Sequence, residues 1–336
     1  MTTYKESGVD VEAGEEAVDR IKPMVRQTFT PGVLADIGSF GSYFELDISE
    51  FDQPVLVSSI DGVGTKVEVA RLMEQFDRIG QDLVNHCVND IAVCGARPLY
   101  FLDYMGVGRL MPDVAEAIVR GFADACRANQ CALVGGEMAE MPDVYGDTGF
   151  DLVGCIVGVV EKGQILNGSA TQPGDVVIGL PSSGLHTNGY TLARAVLFDA
   201  FEPTTMLDEL DGESVGEALL RVHRSYLHAI QAIVRTKEER SLGVRGFAHI
   251  TGGGLPGNVA RILPKGRSAQ IEYDRWQRPF IFRLIQEVGD VPESDMRQTF
   301  NCGIGLVAVV DEQEVDVVLD TLQGAGEQPV VIGHVT

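Results

Sequence analysis

Short apolar runs alternate along the chain with longer segments in which apolar residues return every three or four positions. Val55–Ile60, Leu99–Met105, Cys131–Val134 and Asp151–Val160 read as strands, and Ile79–Cys94 and Pro112–Asn129 as helices between them. Leu83, Val84, Cys87, Val88 and Ile91 give the first helix a buried face, and Pro112-Asp113 suits the opening turn of the second. A QPGD turn at Gln172–Asp175 precedes a second half that alternates afresh. There the pattern predicts strand Val176–Leu180, helices Gly189–Phe198 and Glu217–Arg235, and a Gly-rich turn at Gly252–Gly254. Helix Asn258–Leu263, strand Gly303–Val310 and helix Glu312–Gln323 follow. The expectation is two α/β domains, residues 1–170 and 171–336, as a chain of 336 residues exceeds what one core usually supports.

Polar residues interrupt this pattern where strands end. Directly after Val55–Ile60 stands Asp61-Gly62-Val63-Gly64-Thr65-Lys66. Glycines let backbone N–H groups approach phosphate oxygens, Lys66 can neutralise charge and Asp61 can hold Mg²⁺, although the GxxxxGK[ST] loop is absent. A Gly-rich turn with an exposed lysine fits the same residues. On the helix Ile79–Cys94, Asp82, His86 and Asp90 recur at i, i+4 and i+8 beside Asn89, forming one polar stripe. A stripe facing inward needs partners, a divalent metal among them; a stripe facing outward is a solvated face. His86 alone reads as packed or exposed. Val134-Gly135-Gly136-Glu137 puts another carboxylate at a strand tip. Ser182-Ser183-Gly184-Leu185-His186-Thr187-Asn188-Gly189 and His249-Ile250-Thr251-Gly252-Gly253-Gly254 each lead into a predicted helix, an arrangement that suits anions, with His186 a candidate acid or base. Taken together, these turns and carboxylates point to an enzyme handling several phosphates.

Charge and cysteine content narrow the class. With 26 Lys+Arg against 49 Asp+Glu the formal net charge is −23, which repels nucleic acid and anionic membranes. The six cysteines form no CxxC and lie mostly in apolar runs, as free thiols of a reducing compartment do. The first ten residues carry no basic and apolar signal pattern, and no apolar run approaches ~18 residues. A cytoplasmic protein without a nucleic-acid or membrane partner is expected.

The order DGVGTK, VND, GGE.AEMP, SSG.H.NGY, HITGGG and TFNCG.G resembles the phosphoribosylformylglycinamidine cyclo-ligase (aminoimidazole ribonucleotide synthetase) family, from about residue 4 to beyond 310. Tyr4–Ala13 and Gly38–Phe44 look like the family as well. The resemblance implies an N-terminal ATP-binding domain whose sheet pairs with its partner's in a dimeric β-barrel, and a C-terminal α/β domain with a mixed sheet flanked by helices that completes the cleft. It implies a homodimer that uses ATP and Mg²⁺ to convert formylglycinamidine ribonucleotide to aminoimidazole ribonucleotide, ADP and phosphate. Residue by residue, it makes Asp61 and Asp90 the Mg²⁺–ATP ligands, with Glu137 a third. Lys66, Thr65 and the backbone of Gly62–Gly64 would contact phosphates, and Lys22 would belong to a mobile segment closing over the nucleotide. Ser182, Ser183, His186, Asn188, Thr251, Gly252 and Gly253 would hold substrate or the transferred phosphate. Asp61, Lys66, Asp90 and His186 carry the catalytic roles in this mapping. Met138, His86, Leu185 and Leu255-Pro256-Gly257 depart from the family's usual residues. The alternatives are another ATP-using member of the same superfamily and a non-catalytic nucleotide-binding paralogue, which would be expected to lose Asp61, Lys66 or Asp90.

Overall fold

A computed structural model describes residues 3–240 and 242–336, which divide into two compact units. Unit 1 comprises the chain up to Ile91 together with Arg97–Lys162; unit 2 comprises Ala92–Ala96 and Gly163–Thr336. The Gln172–Asp175 turn therefore lies inside unit 2, and the division falls at Lys162–Gly163.

Unit 1 contains helices α1 (Val11–Arg26), α2 (Lys66–Met73), α3 (Asp77–Ala92), α4 (Pro112–Ala128) and the single turn α5 (Pro142–Tyr145). Its strands are β1 (Pro54–Gly62), β2 (Arg97–Val107), β3 (Ala132–Glu140) and β4 (Phe150–Glu161), ordered β1-β4-β2-β3. The β1–β4 and β4–β2 pairs are antiparallel and β2–β3 is parallel, with α4 supplying the crossover that a parallel pair requires. Along β1, residues 55, 57, 59 and 61 are half-buried while 54, 56, 58 and 60 are exposed, as period-two alternation dictates. The predicted face of α3 is fully buried from Ile79 to Ile91.

Helices α3 and α4 meet backbone to backbone. A Cβ on Gly80 would lie 2.2 Å from Ile118 O, and one on Gly121 would lie 2.0 Å from Asp77 O. Gly80→Ala is expected to cost about 2 kcal/mol, from overpacking of ~3 kcal/mol set against a helix-propensity gain of ~1 kcal/mol. Urea unfolding measures it, and an unchanged midpoint would contradict the close approach.

Unit 2 contains β5 (Val176–Pro181), β6 (Val244–His249), β7 (Ala269–Ile271), β8 (Ile304–Val310) and β9 (Val330–Val335), ordered β6-β8-β5-β9-β7. Every pairing in this sheet is antiparallel, which differs from the mixed sheet implied for this half. All seven residues of the interior strand β8 are buried, so it reads as one apolar run without alternation. Its helices are α6 (Tyr190–Ala200), α7 (Val215–Leu219), α8 (Leu227–Arg240), α9 (Gly254–Val259), α10 (Phe280–Gly289), α11 (Glu293–Thr299) and α12 (Val315–Gly324).

Two helical predictions change. The single helix over 217–235 is two, α7 and α8, separated by irregular residues that carry His223 and Arg224. The helix over 258–263 begins at Gly254, inside the glycine run, and ends in a 3₁₀ turn at Ala260–Ile262. No helix among the described residues is long and apolar enough to cross a membrane.

Candidate active site

In unit 1 the polar stripe of α3 faces inward, and each of its three ionisable members meets a residue of β1 or α2. Asp82 is fully buried, and its Oδ2 lies 2.7 Å from Nζ of Lys66, itself fully buried. His86 is 3% exposed and its Nε2 lies 2.9 Å from Oδ2 of Asp61. Asp90 accepts a hydrogen bond of 3.0 Å from Ser59 Oγ. Ser59 and Asp61 share the half-buried face of β1, while His86 and Asp90 are one turn apart on α3, so a strand's period of two meets a helix's near-four. The solvated-face reading is excluded by this burial.

Burial lowers the pKa of His86, but the hydrogen bond and charge of Asp61, with the charges of Asp90 and Asp82, outweigh it and raise the imidazole. His86, which the sequence alone leaves as a packed or exposed residue, is thus held among carboxylates that favour its protonated form. A single helix-borne histidine carries no mark of this, because its partner Asp61 is remote in sequence. Asp61 keeps 38% of its side chain exposed and accepts from the Gly62 backbone N–H at 3.0 Å. The Asp61 carboxylate is therefore both anchored and reachable.

The loop leading into α2 leaves Gly64 and Thr65 exposed, with Gly64 at φ 65°, a left-handed conformation suited to glycine. Lys66 turns inward instead. Burial lowers its pKa, and Asp82 opposes that shift. The lysine mapped to a phosphate is enclosed with a carboxylate.

Glu137 is exposed on β3. The cross-strand row Asp61–Gly154–Asp103–Gly136 places the neighbouring residue three strand spacings from Asp61, about 14 Å. Glu137 is not brought to the Asp61–Asp90 cluster. Asp103, in the same row, was not singled out by sequence, and burial raises its carboxyl to about 7. Gly136 is required beside it, since a Cβ there would sit 2.3 Å from Asp103 Oδ1. Lys22 lies on α1, a regular helix, and its Nζ is 2.8 Å from Asp19. Unit 1 also holds a cavity of about 430 Å³ walled by Phe76, Met105, Val107, Leu110, Ile118 and Phe150, with Arg71 and Arg109 at its lining.

In unit 2 the loop from β5 to α6 is held by its own polar groups. Ser182 Oγ donates to Asn301 Oδ1 at 3.0 Å, Ser183 Oγ donates to Val222 O at 2.6 Å, and Asn301 Nδ2 donates to Gly184 O at 2.9 Å. His186 is fully buried at φ 64°, and its Nε2 accepts from Ser183 N–H at 3.3 Å. The Thr251–Gly254 loop is pinned by Asn258 Nδ2, which donates to the carbonyls of Thr251, Gly252 and Gly254. A Cβ on Gly252 would lie 3.3 Å from Asn188 Oδ1, so the two loops adjoin. His223, absent from the sequence-derived candidates, connects them. Its ring stacks on His186 at 4.0 Å between centroids, and its Nε2 lies 2.9 Å from Nε2 of His249.

Each unit has a counterpart among known families. Residues 47–160 match the N-terminal domain, and residues 172–336 the C-terminal domain, of the AIR synthase related proteins. Thiamine-monophosphate kinase from Stenotrophomonas maltophilia shares the fold with a TM-score of 0.70 at 19% identity, covering 96% of this chain and 93% of its own. Hydrogenase maturation protein HypE in complex with ATP does so with a TM-score of 0.66 at 16% identity, covering 95% and 86%.

The particular branch is set by sequence. Phosphoribosylformylglycinamidine cyclo-ligases of Trichlorobacter lovleyi and Geobacter metallireducens are each 48% identical to it, over 99% of this chain and 94% of their own lengths. The chain belongs to the phosphoribosylformylglycinamidine cyclo-ligase family, whose members are ligases of purine biosynthesis.

Proposed function

We propose that this protein uses ATP to close the imidazole ring of aminoimidazole ribonucleotide from formylglycinamidine ribonucleotide, releasing ADP and phosphate. The observation that carries the assignment of chemistry to residues is the cluster of Ser59, Asp61, His86 and Asp90, where β1 and α3 bring two carboxylates to one partly exposed strand end. Hard carboxylate oxygens suit Mg²⁺, which when bound would offset the charge of the ATP phosphates. Asp61 and Asp90 would hold it; Glu137 stands too far along the sheet to join them without rearrangement. The backbone of Gly62–Gly64 and Thr65, exposed at Gly64 and Thr65, would receive phosphate oxygens. Lys66 would act through α2, holding that loop by its bond to Asp82. The apolar cavity beside Phe76 and Phe150 would take the adenine, a flat apolar group of matching character. ATP use is supported by the nucleotide complexes of two fold relatives, HypE with ATP and Thermotoga maritima PurL with AMPPCP. Lys22 would contribute only if α1 shifts toward the nucleotide.

A formamide is a weak electrophile because its nitrogen donates into the carbonyl. Transfer of the γ-phosphoryl group to the formyl oxygen gives an imidate phosphate; the ribosyl-bearing amidine nitrogen attacks the formyl carbon, and phosphate and a proton leave. The loops carrying Ser182, Ser183, His186 and Asn188 and Thr251–Gly253 would orient the substrate or the transferred phosphate. Purified protein supplied with formylglycinamidine ribonucleotide, ATP and Mg²⁺ should yield ADP and aromatic amine in equal amounts. ATP binding without amine formation would return the chain to the other ATP-using members of the superfamily.

A homodimer in the cytoplasm completes the reading. β1 is an edge strand whose outward Leu56 and Ile60 are 62% and 68% exposed, an apolar face on a sheet margin that favours pairing with a second copy. Sedimentation should show a dimer for the wild type and a monomer for Leu56→Lys/Ile60→Lys. A wild-type monomer would sink the dimer.

A further inference from the structure

Three of the six histidines converge inside unit 2, and they come from three different elements. His186 lies in the loop after β5, His223 in the irregular segment between α7 and α8, and His249 at the end of β6. Their exposures are 0%, 0% and 5%, and one ring nitrogen from each lies within 4.8 Å of the others. We propose that His186, His223 and His249 form a binding site for one borderline divalent cation of the zinc, cobalt or nickel type. His186 also belongs to the loop proposed to orient the substrate, so the test reads cation binding directly and not turnover.

The donor set selects the ion. Three imidazoles suit zinc, cobalt, nickel and copper, whereas Mg²⁺ prefers oxygen and dehydrates reluctantly. Each imidazole in its neutral form has one lone pair to give. A tetrahedral zinc with Zn–N bonds of ~2.05 Å sets its nitrogens about 3.3 Å apart. His223 Nε2 and His249 Nε2 stand 2.9 Å apart, so a modest opening admits the ion in place of their shared hydrogen bond. The His186 ring is stacked parallel to His223, 14° between planes, and must turn about its Cβ–Cγ bond for its lone pair to converge, a soft torsion for histidine.

The chain is built around these rings. Gly305 of β8 leaves the space they occupy, since a Cβ there would lie 2.5 Å from His186 Cε1 and 2.1 Å from Tyr226 Oη. Thr187 Oγ1 lies 3.4 Å from His223 Nδ1 and can accept that N–H, which fixes the tautomer leaving Nε2 for the ion. With three protein ligands, a fourth position remains for water or an anionic oxygen.

The experiment uses the full chain, stripped with a chelator and titrated with Co²⁺ and with Zn²⁺. Wild type should bind one ion with the intense visible absorption of tetrahedral cobalt, and Zn²⁺ should raise its thermal midpoint. His223→Gln and His249→Gln should each weaken binding roughly tenfold or more. His228→Gln, at an exposed histidine of α8, should keep both the absorption and the thermal shift. Absence of binding, the pale spectrum of an octahedral site, or equal binding by the two Gln variants would overturn the site. If either Gln variant unfolds, the absorption spectrum of the wild type decides alone.

Discussion

Asp61→Asn is expected to lower turnover by about 10²- to 10³-fold or more while the protein stays folded. The residue lies at the end of β1, keeps a substantial part of its side chain in solvent and accepts a backbone hydrogen bond from Gly62, which an amide oxygen can also accept, so the isosteric amide should leave the strand intact. What it removes is a negative charge at the point where a metal–nucleotide complex would sit. It also removes the main support for the raised pKa of His86, whose burial then favours the neutral ring. Two roles for Asp61 can be separated on this basis. If it serves chiefly to hold His86, adding His86→Gln to Asp61→Asn should restore activity. If it holds the metal, the double variant stays inactive and its affinity for ATP loses its dependence on Mg²⁺. The assay is kcat/KM across a Mg²⁺ series, with a thermal melt to verify folding. Activity within threefold of wild type would remove Asp61 from the metal site.

Asp61 stood out in the sequence as a carboxylate directly after an apolar run and before glycines, and Asp90 as one member of the α3 stripe; their pairing as metal ligands is what the family resemblance implies. The inward direction of the α3 stripe was not. Asp82, His86 and Asp90 share a helical face by spacing, yet spacing cannot say whether that face meets water or Ser59, Asp61 and Lys66, which lie on β1 and α2. The strands of unit 1 were readable from apolar runs, but the order β1-β4-β2-β3 follows from long-range pairing that no local signal carries. His223 shows the same limit in unit 2. Periodicity continued one helix through residues 217–235, whereas the chain breaks there and turns His223 onto His186 and His249. Glu137 illustrates the converse, a strand-tip carboxylate of the expected kind that register places three strands away from Asp61.

Lys66 is where sequence chemistry and packing pull apart, and it gives the largest expected change in stability. Both members of the Lys66–Asp82 pair are fully buried at 2.7 Å, so neither Coulomb attraction nor desolvation is softened by solvent. Lys66→Met leaves a carboxylate buried beside a thioether and should cost about 3–5 kcal/mol. Asp82→Leu should cost less, because burial already lowers the pKa of Lys66, and the isolated amine can shed its proton rather than remain charged. Replacing both should recover most of the loss, since an apolar pair of similar volume removes the desolvation penalty along with the attraction. Denaturant unfolding of the two single variants and the double variant yields the coupling energy. Activity of the double variant then assigns the lysine. A stable Lys66→Met/Asp82→Leu protein that turns over normally means the ion pair only positions α2 and the exposed Gly64–Thr65 backbone. A stable protein that binds ATP but does not turn over means the ammonium leaves Asp82 during the reaction and meets the phosphoryl group, as the DGVGTK motif by itself implies.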